Sequence, residues 1–327
     1  MTILKTRLTD ALAINLPIIQ GGLAYLAYSE LAAAVSNAGG LGQLTAMTCS
    51  SPEDLRDEIH KIRQLTDRPF GVNFAIGQHG RPYEEMLQVA IDEGVPVVSI
   101  TGGNPTPVFE KLNQTPIKKL VLVATKRQAI KAEALGADAV MVVGNEGGGH
   151  LGREEIGGLV LIPSVVDAVN IPVIASGGFS DGRGLMAALA LGAEGVEMGT
   201  RFIATKECVH ASKTYQEMIL KADETDTVII KKSLGAPARA LKNDWTASIL
   251  REEEKGSGYE GLKALISGER NKALIYDGKM EEGFGWAGQT AGRIQDIPTV
   301  QTLFDRIMAE AHQIRAKWGT SMEERMG

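Results

Sequence analysis

From the start of the chain to Phe202, short apolar runs rich in β-branched residues alternate with longer stretches whose apolar positions recur at helical spacing. The runs are PIIQGG from Pro17, GLGQLT from Gly40, FGVNFAI from Phe70, VPVVSIT from Val95, KLVLVAT from Lys119, DAVMVVG from Asp138, IPVIASGG from Ile171 and GVEMGTRF from Gly195. They lack the apolar–polar alternation of a half-exposed strand, which suits strands covered on both faces in a parallel sheet. Between them, Ser29 before ELAAAVSNAG, Ser51-Pro52 before EDLRDEIHKIRQL and Asp181 before GRGLMAALALG read as helix starts. Their side-chain oxygens can accept the free amides of a first turn, where proline also fits. Eight such units predict an α/β fold, a closed (β/α)8 TIM barrel. The alternative is a doubly wound sheet, which would carry GxGxxG after the first strand, where this chain has QGGLAYLA.

After Phe202 the rhythm changes. Charged stretches such as KADETDTVIIKKS and REEEKGSGYEG predict a mostly helical segment over 205–285, inserted after the eighth strand as a smaller substrate or lid domain. MEEGFGWAGQTAG then leads into an amphipathic helix, TVQTLFDRIMAEAHQIRAKW, suited to closing the outer ring. The barrel is therefore expected from 1–204 together with 286–327.

Composition narrows the function. The 327 residues are 44% hydrophobic, enough for a large core, and carry a net charge of −6, which disfavours nucleic acid or an anionic membrane as partner. No uninterrupted apolar run is long enough to span a bilayer, and Lys5, Arg7 and Asp10 break any signal-peptide core. Two distant cysteines, Cys49 and Cys208, support neither a disulfide framework nor a zinc site, so a reducing cytoplasm is the expected compartment. A homodimer is expected on general frequency alone.

Glycine is the informative residue type, with 38 copies clustered at the expected strand ends. Gly21-Gly22, Gly102-Gly103, Gly147-Gly148-Gly149, Gly177-Gly178 and Gly199 would allow a ligand close to the backbone at the catalytic face of a barrel. SGGFSDGRG over 176–184 and MGTR over 198–201 follow the seventh and eighth strands, the usual place of a barrel phosphate site, with a helix N-terminus near Asp181 expected to add its dipole. Tight turns alone are the plainer reading of any single glycine pair. No GxxxxGK[ST] stands in the sequence, which favours a monophosphate cofactor over a cleaved triphosphate.

His150, raised on NEGGGHLG at the end of the sixth strand, is the candidate acid or base. A helix-capping histidine is the structural alternative. His60, His79, His210 and His312 fall on expected helices or outer loops and read as solvated. Glu146 lies near His150 but has no second histidine or acidic pair to complete a metal site, and no GxSxG is present. Redox chemistry on an organic cofactor is what these exclusions leave.

QGGLAYLAYSELAAAVSNAGGLG, RPFGVNFAIG, GADAVMVVGNEGGGHLG, PVIASGGFSDGRGLMAALALGAEGVEMGTRF and WAGQ together resemble the FMN-dependent nitronate monooxygenase (2-nitropropane dioxygenase-like) family. The same superfamily includes type II enoyl-acyl carrier protein reductases and NAD(P)H:quinone reductases. The resemblance implies an FMN site in which Gly21, Gly22 and Leu23 lie beside the isoalloxazine ring and Asn73 bonds near its polar edge. It implies that Gly148, Gly149, Ser176, Gly177, Gly178, Gly199 and Thr200 hold ribityl and phosphate oxygens, that Gln289 touches the cofactor, and that His150 is the active-site histidine. The implied reaction is oxidation of an alkyl nitronate by dioxygen, with NAD(P)H-dependent reduction of a quinone or enoyl thioester as the alternative. Many nitronate monooxygenases carry a lysine near the end of the fifth strand, where this chain has Leu122 and Val123. That departure leans toward the reductases, whereas GQLTAMTCSSPEDLRDEIHKIRQLTDRPFGVNFAIG lacks their glycine-rich pattern.

Overall fold

The structure is a computed structural model that describes residues 4–76 and 83–326, with side chains described as far as Trp318. His79 lies outside the described residues. All eight expected strands form: β1 (Ile18–Gln20), β2 (Gly42–Thr45), β3 (Phe70–Ala75), β4 (Val97–Thr101), β5 (Lys118–Val123), β6 (Ala139–Val143), and, after the short strand β7 (Gly149–His150), β8 (Val173–Ser176) and β9 (Gly195–Met198). Without β7 they make one parallel sheet in the order β1-β9-β8-β6-β5-β4-β3-β2. The ends meet where Ile19 bridges Leu41 and where the Gln20 and Leu41 amides donate to the Leu41 and Ile18 carbonyls, so the sheet closes into a (β/α)8 barrel.

Position along each strand separates two environments. Val98, Val140, Val142, Val173, Ala175 and Val196 face outward into the large core shared with the helices. Ile19, Val97, Leu120, Ala139, Met141 and Ile174 face inward and pack with Leu8 and Leu12 of the first helix, Arg7–Leu12, which plugs the lower end. Each fully buried aliphatic side chain of this kind contributes about 1.5–3 kcal/mol. One or two inward positions further along the strands, the residues become polar: Gln43, Thr45, Asn73, Ser99, Ser176 and Glu197 are all buried. The barrel is thus dry at its base and polar at the C-terminal ends of its strands.

Helix starts follow local chemistry. Ser51 and Asp181 cap their helices, accepting the Asp54 and Gly184 amides at 3.1 and 3.0 Å. Ser29 does not act as a cap; it is the first helical residue, and its amide donates to Glu58 Oε2 of the next helix at 2.9 Å. The last helix, Val300–Met326, lies against helices Gly182–Ala190 and Ser29–Asn37 and completes the ring.

The stretch between β9 and this helix is less helical than its charge pattern predicts. It contains the expected helices, chiefly Lys213–Lys221, Asp244–Glu254 and Gly268–Ile275, and also an antiparallel pair, β10 (Thr227–Ile230) and β11 (Ala238–Leu241). Strand β11 pairs in turn with β7, placing Ala238 opposite His150 and Arg239 opposite Gly149. Flanking lysines and acids obscure TVII, and ARAL becomes a strand only through this pairing. Ile230, Ala240, Ile249, Leu262 and Phe284 form a separate core beneath Trp245 and Trp286.

Candidate active site

The C-terminal ends of the barrel strands, the β6–β8 loop and the segment after β9 enclose a cavity of about 530 Å³. Gly21, Gly22, Leu23, Asn73, Gly148, Gly149, His150, Ser176, Gly177, Gly178, Gly199 and Thr200 all line it. Gln289 does not line it. Its backbone amide donates to the Glu146 carbonyl at 3.0 Å, and its neighbours Gly288 and Thr290 reach the cavity instead. The WAGQ segment therefore returns to the site through the Trp286 side chain and the main chain of Gly288: Gly288 donates its amide to Thr200 Oγ1 at 2.9 Å, and a Cβ on Gly148 would sit 2.5 Å from the Gly288 nitrogen.

Gly177 and Gly178, with φ of +82° and +86°, turn the chain immediately after β8 in a conformation that side chains resist. The adjoining helix Gly182–Ala190 does not offer the free N-terminus expected near Asp181. The Asp181 carboxylate takes the Gly184 amide, the Gly182 amide donates to Glu310 Oε2 at 2.8 Å, and Asp181 is held by Arg183 and Arg293. The cavity reaches Gly177, Gly178 and Phe179 and stops short of this helix, so the candidate phosphate cradle contracts to the β8 turn and the Gly199-Thr200 corner.

Asn73 is fixed by its neighbours. Its Nδ2 donates to Ser99 Oγ and Thr101 Oγ1, both at 2.9 Å, and a Cβ on Gly22 would lie 2.3 Å from its Oδ1. Two more hydroxyls on the cavity wall, Thr45 Oγ1 and Thr290 Oγ1, are buried without a hydrogen-bond partner among the described residues. Buried polar atoms of this kind are costly unless a ligand or water meets them.

Glu197 was not singled out by any motif. It lies on the inner face of β9, 8% exposed, with Gly21 close enough that a Cβ there would approach its Oε1 to 2.9 Å. Burial pushes its carboxyl up to about 7, opposed by a hydrogen bond from Ser176. Only the parity of positions along β9, Gly195 and Glu197 inward with Val196 outward, could have found it.

His150 projects from β7 beside Trp286, ring centroids 5.9 Å apart, and its Nε2 lies 3.0 Å from Lys231 Nζ. Burial draws the Lys231 ammonium down to about 8, opposed by Glu253. Lys231 is a second residue the sequence did not reveal, since KKS reads there as a solvated run. Arg239 of β11 ties the two halves of the site by donating to the Asn145 carbonyl at 2.9 Å. The Glu146 carboxylate accepts the Gly158 amide at the start of helix Gly158–Val166 and is therefore engaged in capping. Among the described residues no group of three His, Cys, Asp or Glu side chains could hold a metal ion. His60 and His210 lie outside the cavity, facing Glu93 and Glu30.

The cavity thus joins a backbone-lined cradle, a buried carboxyl and a lysine–histidine pair at the catalytic face of a barrel. The chain is 40% identical to FabK from Thermotoga maritima, whose structure superposes with a TM-score of 0.91 over 97% of this chain and 99% of that one. It is 35% identical to an octahydroindene carboxyl-CoA dehydrogenase from Rhodococcus jostii, over 95% of this chain and 97% of the relative. A probable nitronate monooxygenase from Staphylococcus saprophyticus is 34% identical, over 95% and 99% of the two chains. The nitronate monooxygenase profile matches residues 5–79 and 74–310. The chain belongs to the nitronate monooxygenase family.

Proposed function

We propose that the protein is an FMN-dependent oxidoreductase that oxidises alkyl nitronates with dioxygen to carbonyl compounds and nitrite. The observation that carries this reading is the convergence of the β8 turn, the Gly199-Thr200 corner, the β6–β8 glycines, Asn73 and His150 on one cavity. Its volume falls in the range of cofactor sites, roughly 300–1,000 Å³. The Thr45 and Thr290 hydroxyls at its wall, without a hydrogen-bond partner among the described residues, suit a polar ligand. Gly21, Gly22, Leu23 and Asn73 would hold the ring system, and Gly148, Gly149, Ser176, Gly177, Gly178, Gly199 and Thr200 the ribityl and phosphate oxygens. When bound, FMN supplies the electron acceptor and the means of passing electrons to dioxygen. His150 takes the carbon-bound proton of a neutral nitroalkane or orients a preformed nitronate. The 205–285 segment covers the barrel as a lid.

A second reading, NAD(P)H-dependent reduction of an enoyl thioester or quinone, has its own support. The cavity continues past the histidine to Tyr259, Lys263 and Ser267, which leaves room for a larger partner. The resemblance to a dehydrogenase named for a carboxyl-CoA points the same way. Anaerobic mixing of the yellow holoprotein separates the two. Bleaching by a nitronate and not by NADH or NADPH supports the oxygenase; the reverse result replaces it with the reductase.

A further inference from the structure

Two consecutive lysines, Lys231 and Lys232, have opposite environments. Lys232 points outward and pairs with Glu155. Lys231 turns into the cavity, where its ammonium meets His150 Nε2 at 3.0 Å and lies over the Trp286 ring, 5.2 Å from the centroid. Among the described residues no carboxylate comes within ion-pair distance of it. The turn is strained, because Lys231 adopts φ +63°, ψ +20°, a left-handed conformation uncommon for a side chain of this size. Glu253 holds it there: its carboxylate accepts the Lys231 amide at 2.8 Å, and the Ser233 amide and hydroxyl at 2.9 and 2.7 Å. Strain of this kind persists where the surroundings over-determine it, and here it aims a cation into a cavity.

We infer that Lys231, positioned by Glu253, is the seat for the negatively charged oxygen of the substrate, and that the site selects planar oxyanions such as nitronates over their neutral isosteres. The inference deepens the proposed function and rests on its placement of the active site. An ammonium has three donors. One faces His150 Nε2, and the ring face of Trp286 accommodates part of the charge without neutralising it. What remains is a desolvated cation beside the candidate acid–base group, where an anionic oxygen would be its first full counter-charge. Lys231 thus brings a cation to the cavity from a turn of the segment after β9, whereas the C-terminal end of β5 contributes only the apolar Leu122 to its lining.

The test uses the full-length holoprotein with butyrate as an unreactive planar oxyanion and butyramide as its neutral isostere, binding being read from tryptophan fluorescence and flavin absorbance. Wild type should prefer butyrate, and Lys231→Met should weaken butyrate by about tenfold or more while leaving butyramide unchanged. Lys231→Arg should retain most of the preference. Glu253→Gln should weaken butyrate alone, a selective loss that general loosening of the fold would not produce. Should Lys231→Met fail to fold, Lys231→Gln carries the same expectation. Equal binding of butyrate and butyramide by wild type, or butyrate binding unchanged in the neutral variant, overturns the inference. If that happens while nitronates still bleach the flavin, the oxidation reading stands without the seat. If butyrate selection depends on Lys231 but nitronates never bleach the flavin, the seat stands and the reaction reading falls.

Discussion

At the barrel mouth the cavity is bounded mainly by main chain and small side chains, with the buried carboxyl of Glu197 among them: the turns at Gly21-Gly22, Gly177-Gly178 and Gly199, with Asn73 and Thr200 between them. The opposite wall, built from the segment after β9, brings Lys231, Trp286, Tyr259 and Lys263. The difference lies in what each wall can do at little cost. Backbone amides at fixed strand ends are preorganised and cannot be rearranged by a single side-chain change, which suits a permanently held cofactor. Long charged side chains on turns and helices can be exchanged without rebuilding the barrel, which suits a wall that chooses substrates. His150 belongs to both walls, because β7 springs from the barrel loop and is hydrogen-bonded to β11.

The largest effect should come from placing charge on the barrel side. Gly178→Asp sets a carboxylate where a phosphate dianion is proposed, and like charges in a partly desolvated site repel by several kcal/mol. FMN affinity in equilibrium dialysis should drop by about 100-fold or more. The φ of +86° makes any side chain at 178 strained, so Gly178→Ala serves as the steric control and should lose less. Native circular dichroism with unchanged FMN affinity in the Asp variant would place the phosphate elsewhere.

Next in size is the group shared by both walls. His150→Asn keeps hydrogen-bonding capacity and removes the titratable ring, so FMN should stay bound while turnover falls by about 10²-fold. Steady-state rates should show a larger loss for a neutral nitroalkane, which must be deprotonated, than for the corresponding nitronate. Small, equal losses for the two substrates would reduce the histidine to a structural part of the β7–β11 pairing.

The two walls were also unequally legible in the sequence. The barrel announced itself because its strands are largely apolar runs, six of the eight followed closely by glycine, and those ends carry every candidate residue that reaches the cavity. Gln289 shows the limit of that logic: its segment does return to the site, but through Trp286, the backbone of Gly288 and Thr290. Glu197 was invisible because both faces of β9 are buried, so hydropathy does not mark which positions point inward. Lys231 and β10–β11 were invisible for another reason. Their neighbours in sequence are charged and solvated, and only pairing with β7 and the Glu253 clamp, both distant in sequence, give them a defined role.

Glu197 permits a test of the barrel wall that needs no cofactor. Folded Glu197 keeps its proton up to about 7. An unfolded glutamate releases it near about 4.3. Between those values the unfolded chain binds fewer protons than the folded one, so this group's favourable contribution is fully present at low pH and is lost as pH rises through 7. The difference amounts to roughly 4 kcal/mol. Urea unfolding of the apoprotein should therefore show wild type losing stability relative to Glu197→Gln between about pH 5 and pH 8. Parallel curves for the two proteins would mean that Glu197 is ionised in the fold and that its surroundings are wetter than the barrel interior suggests.

The smallest expected effect separates the cradle from the helix beside it. Asp181 caps helix Gly182–Ala190 and is paired with Arg183 and Arg293, while the cavity ends at Phe179. Asp181→Ala removes a cap, which costs about 0.5–2 kcal/mol of stability. It also removes a carboxylate from the neighbourhood of the proposed phosphate. If the helix N-terminus were the anion site, freeing its amides would tighten FMN binding. If the cradle is the β8 turn and the Gly199-Thr200 corner, thermal unfolding should shift down by a few degrees with FMN affinity unchanged within about threefold. Tighter binding in the alanine variant would restore the helix to the phosphate site and extend the barrel wall's role beyond its strand-end turns.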